Sequence, residues 1–168
     1  MNRRLLLSAA AALSPWAARA EPAPVDHVEV LLLQPDAELR ERVDGDALAR
    51  YVLALQASAT GALAAQFSRR PNAGFVVLGL RPGHAPRAWQ DWDQPLPAAQ
   101  ARPLRQALEG TTAPAVRTGT VLVTLKLSLW GGRVSPRKAP SPPEWRTAAA
   151  RAGEKLEVSR LAELAWND

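Results

Sequence analysis

The chain has no cysteine. Disulfides, thiol nucleophiles and Cys-based metal sites are therefore excluded together. Its two histidines, His27 and His84, have no His or Cys at the short spacings a zinc site uses, so no metal site is expected. Tyrosine occurs once and phenylalanine twice, against six tryptophans. Acidic residues are missing between Thr111 and Pro143, where Arg117, Lys126, Arg133, Arg137 and Lys138 stand. The chain also lacks a P-loop, a dinucleotide glycine fingerprint, a nucleophile-elbow serine and a Ser-Lys dyad motif. These absences point to a non-enzymatic protein with no cofactor.

What is present begins with an export signal. Met1-Asn2-Arg3-Arg4 forms a positive start and Leu5-Leu6-Leu7 opens a short apolar run. Ala18-Arg19-Ala20 then makes a small-x-small cleavage site before Glu21. The apolar run is shorter than the roughly 20 residues a membrane span needs, and Pro15 interrupts it. Cleavage between Ala20 and Glu21 is expected, with no transmembrane segment after signal removal and a periplasmic location. The paired arginines are compatible with both the general secretory and the twin-arginine routes. Residues 1–20 carry Arg3, Arg4 and Arg19 and no acid, so the net charge of +5 falls to +2 without them. A charge that small does not support a nucleic-acid partner.

The remaining 148 residues fit one domain. His27 to Leu33 reads as a strand, and Asp36 to Val43 as a helical turn or two. Leu48, Tyr51, Val52, Leu55, Ala59 and Leu63 recur at helical spacing over Ala47 to Phe67, with Asp46 as the expected cap. Phe75 to Leu80 is a strand. Arg81-Pro82-Gly83-His84 has type II turn chemistry, and the chain returns through Ala88 to Trp92 as a hairpin. Leu96 to Leu108 is helical, with a kink or late start expected at Pro103. Val121 to Leu129 alternates apolar and polar residues. One face is expected on the core and the other, with Thr124, Lys126 and Ser128, wet or partnered. A Pro-rich linker over 133–143 precedes a C-terminal helix from Glu144 to about Trp166, which Gly153 could divide. The four segments are 1–20 signal peptide, 25–132 domain, 133–143 linker and 144–168 helix. The fold class expected is α+β: an antiparallel sheet with two helices on one face, in a split βαβ order.

The stretch Leu48 to Trp130 resembles the C-terminal domain of TonB-type energy transducers. The resemblance rests on a helix containing Tyr51, the strand and hairpin Phe75 to Trp92, and the helix Leu96 to Leu108. The crossing Ala113-Pro114-Ala115-Val116 and the long last strand Val121 to Leu129 complete it. The family's Ser-Ser-Gly-type hairpin element is absent, and Pro82-Gly83 stands elsewhere. The membrane anchor and long Pro-rich spacer of the transducers are absent too, which argues against energy transduction. The resemblance implies binding of a peptide segment along a sheet edge.

Three functions follow as expectations. The first is a periplasmic binding or scaffold module for a cell-envelope protein or peptide. It would act through a sheet edge or the polar face of the last strand, with Arg81, Trp89, Lys126 and Trp130 as the binding residues. The second is a cell-envelope polymer or anionic-lipid binder using the basic stretch 111–143. The third is a hydrolase with unrecognised chemistry and no assigned catalytic residue. Asp91 and Asp93 flank Trp92 as a glycosidase acid pair could, but with nothing to separate their pKa values they read as polar strand-end residues. Trp89 and Trp92 are three apart and should lie on opposite faces of a strand.

Overall fold

A computed structural model describes residues 22–66 and 68–166. The expected signal peptide and the Ala20–Glu21 cleavage point lie outside the described residues. The elements are β1 His27–Leu32, α1 Asp36–Arg42, α2 Gly45–Ala64, β2 Asn72–Leu80 and β3 Arg87–Trp92. They continue with α3 Ala98–Glu109, β4 Val121–Leu129, α4 Pro143–Ala152 and α5 Val158–Leu164. The protein is α+β. The four strands among the described residues form one antiparallel sheet in the order β1-β4-β2-β3. The helical crossovers β1 to β2 and β3 to β4 each step over one strand, leaving β1 and β3 at the edges.

The inner face follows from the alternation in β4. Val121, Val123, Leu125, Leu127 and Leu129 all join one buried cluster with Val76, Leu78 and Leu80 of β2. The stripe Leu48, Tyr51, Leu55, Ala59 and Leu63 of α2 covers them, with Leu104 and Leu108 of α3. The cap of α2 is Asp44, whose side chain accepts the Ala47 N–H at 2.8 Å. Asp46 was the expected cap, but Gly45 and Asp46 already lie in the first turn. The α3 helix starts at Ala98 and carries Pro103 inside it. At the hairpin, Gly83 takes φ +71° and the His84 N–H donates to the Arg81 carbonyl at 3.3 Å, as type II chemistry requires.

The second face overturns the expectation of helices on one side only. Val77, Trp89 and Leu122 pack there against Trp145 and Ala148 of α4, Ala162 of α5, and Ala165 and Trp166 beyond it. Thr124 and Ser128, on the same face, are buried. The protein's own C-terminal segment thus packs on this face of β4 at Leu122. Trp89 is the centre of this layer: Trp145 and Trp166 meet it edge-on at 5.6 and 5.5 Å. Gly79 makes room for them, since a Cβ there would sit 2.6 Å from Trp166 and 2.8 Å from Trp89. The C-terminal helix is two helices, because Gly153 takes φ +70° and ends α4 in the left-handed conformation.

Stretch 133–143 is fastened to the domain and does not act as a free linker. Arg137 donates to the Asp91 carboxylate at 2.6 Å, the Asp91 carbonyl at 2.8 Å and the Asp93 carboxylate at 2.9 Å. Ser135 Oγ donates to Asp93 at 2.9 Å, and the Ser141 N–H donates to Asp91 at 2.6 Å. Burial alone would lower the Arg137 pKa. The hydrogen bonds and charge of Asp91 and Asp93 reverse this and hold it above the ordinary value. Asp91 and Asp93 therefore serve as a clamp for the strap, which excludes the reading of a free acid pair.

Candidate functional site

The two sheet edges differ. At β3 the Ala88 N–H is taken by Glu109 Oε1 at 3.0 Å, and the strand is held by Arg137 and Ser141. At β1, no strand among the described residues pairs with the outer side. An edge strand offers a row of unpaired N–H and C=O groups, a template for another extended chain.

Beside this edge lies an apolar groove of about 530 Å³. Its floor is Val30 and Leu32 of β1; its wall is Leu39 and Val43 at α1 and Leu48, Val52 and Leu53 of α2. The parity of β1 builds the floor. Val28 packs against the inner cluster, and Val30 and Leu32 follow on the same face. Val30 nevertheless stays 37% exposed and Leu32 45%. Leu53 lies off that stripe and is 65% exposed. Exposed apolar residues that converge beside an open edge mark a binding surface more than isolated ones do. Asp36 and Arg40 line the groove at α1, paired at 3.7 Å.

The four residues expected from sequence do not meet in one patch. Arg81 is half-buried and stacks its guanidinium 5.2 Å from the Trp166 ring. Trp89 is fully buried in the second layer, so it offers no contact surface. Trp130 is 2% exposed within the inner cluster, at the opposite end of the sheet from Arg81. These two tryptophans are corrected from binding residues to packing residues, because a large apolar ring is most stable where both faces are covered. Lys126 is 14% exposed and pairs with Glu29 at 3.6 Å, which puts it next to the β1 edge. Trp89 and Trp92 do lie on opposite faces: Trp92 packs against the inner cluster.

The basic stretch is largely spent internally. Arg117 donates to the carbonyls of Arg40, Glu41 and Val43, Arg137 holds the strap, and Lys126 pairs with Glu29. Arg133 and Lys138 are exposed. That leaves a thin cationic surface for a polymer or lipid. Among the described residues, no cluster of three His, Cys, Asp or Glu side chains could hold a metal ion, and no helix is long and apolar enough to cross a membrane.

The site residues missed in the sequence were Glu29, Val30, Leu32 and Leu53. Leu53 had a signal: it is a leucine outside the three-and-four stripe of its own helix. No family model, curated protein or solved structure matches the chain.

Proposed function

We propose that this protein is an exported, periplasmic, non-enzymatic binding or scaffold module that takes an extended segment of a cell-envelope protein along the free edge of β1. The observation that carries the proposal is the open edge with Val30, Leu32 and Leu53 exposed beside it. Main-chain hydrogen bonds along the edge would supply affinity, and the groove would select alternate side chains. On this proposal the chain has a split βαβ order and resembles TonB C-terminal domains. Two crossovers that each step over one antiparallel strand support it. A six-residue edge is at the small end of interface sizes, so affinities on the order of micromolar are expected.

The test is titration of the protein with extended apolar peptides, following backbone amide signals of β1. Peptide should protect and shift those amides, and Val30→Thr with Leu53→Ser should weaken binding severalfold. Both side chains are exposed, so the circular-dichroism melt should be unchanged. Undiminished binding by the double variant would sink the proposal.

A further inference from the structure

The face of β1 opposite the groove carries a row of charges that stops at the edge. Glu29 stands opposite Lys126, Lys126 opposite Phe75, and Phe75 opposite Asp91. Lys126 Nζ lies 3.6 Å from the Glu29 carboxylate and 5.9 Å from the Phe75 ring. Arg137 covers the same ring at 5.0 Å and reaches Asp91 at 2.6 Å. Two cations thus flank one aromatic ring, with an acid at each end of the row. The acids are not equivalent. The Asp91 side chain is 7% exposed and is met by Arg137 and the Ser141 N–H. Glu29 is 47% exposed and stands on the open strand.

A strand added to β1 places one side chain beside Glu29 on this face. Directly opposite pairs interact, favourably when the charges differ and unfavourably when they match. The residues on either side of it point to the other face, toward the groove, because successive side chains alternate. Resting on the strand-addition reading above, we propose that the segment this edge accepts has a Lys or Arg between two apolar residues. The pattern is the same read in either direction, so it holds for parallel and antiparallel addition. β1 itself, His-Val-Glu-Val-Leu-Leu, has no Lys or Arg. A second copy paired through the same edge would bring Glu29 no Lys or Arg beyond its own Lys126, which favours a foreign partner over self-pairing.

The experiment uses three peptides that differ only at a central Lys, Gln or Glu flanked by valines, titrated by calorimetry against the protein at low and high salt. The Lys peptide should bind about fivefold more tightly than the Glu peptide, as expected for a half-exposed charge pair. Salt should compress the difference. Glu29→Lys should reverse the order and Glu29→Gln should erase it, with melts confirming that both variants fold. Equal binding of the three peptides to the native protein, or an unchanged order in Glu29→Lys, overturns the basic-residue preference while leaving strand addition standing. Binding of none of them overturns both. Self-association that the Lys peptide cannot disrupt assigns the edge to a second copy and also overturns the proposal.

Discussion

Arg137→Ala should unfasten the second layer of the domain. Three acceptors each lose one donor at once: the Asp91 carboxylate at 2.6 Å, the Asp91 carbonyl at 2.8 Å and the Asp93 carboxylate at 2.9 Å. Asp91 sets the cost, because its side chain is 7% exposed while that of Arg137 is 34% exposed. An exposed pair contributes about 0–1 kcal/mol. Removing one partner of a buried pair costs about 3–5 kcal/mol. This pair is intermediate, and the Ser141 N–H still reaches Asp91 at 2.6 Å, so the loss expected is about 2 kcal/mol. In a domain of this size that corresponds to about 4–8 °C in melting temperature.

The assay is urea unfolding followed by tryptophan fluorescence, with hydrogen exchange across 133–152. Exchange should rise first in α4, which directly follows the strap and whose Trp145 meets Trp89 edge-on. Arg137→Lys keeps the charge but loses the planar fork, and should recover less than half of the loss. A double-mutant cycle with Asp91→Asn should give a coupling of about 1–2 kcal/mol. A stability change under about 0.5 kcal/mol with unaltered exchange in α4, or strict additivity in the cycle, would refute the clamp.

Three further outcomes are expected. Tyr51 is the only tyrosine, its hydroxyl has no hydrogen-bond partner among the described residues, and burial pushes its pKa above the usual 10.0. A raised folded-state pKa means its contribution is complete below pH 10 and is lost as pH rises beyond it. Tyr51→Phe should therefore be neutral to stabilising by about 1 kcal/mol near neutrality and should remove the alkaline loss, with tyrosinate absorbance reporting this single group. Gly79→Ala brings a Cβ within 2.6 Å of Trp166 and 2.8 Å of Trp89. It should cost about 1–3 kcal/mol in urea melts and alter the near-ultraviolet dichroism of the tryptophans. If the signal is cut where expected, N-terminal sequencing of a periplasmic fraction should begin at Glu21; a full-length membrane-bound chain would contradict it.

Local chemistry was legible in the sequence wherever neighbouring residues decide it. The alternation from Val121 to Leu129 placed β4 and its core face, the stripe from Leu48 to Leu63 placed α2, and Pro82-Gly83 placed the hairpin turn. These are short-range matters of periodicity and backbone preference. The tertiary structure decided everything that depends on which surfaces meet. Thr124 and Ser128 read as a polar face, yet both are buried. Trp89 and Trp130 looked like contact residues, yet each fills a core cluster. Arg137 and Asp91 are 46 residues apart, and no local pattern predicts their clamp. With no cysteine, the domain closes without disulfides, through packing and polar contacts. Sequence periodicity marks which side of an element is apolar; only the assembled fold determines what covers that side. Val30, Leu32 and Leu53 stay open together beside β1, whereas Val134 and Leu164 are exposed singly and most other large apolar residues are buried.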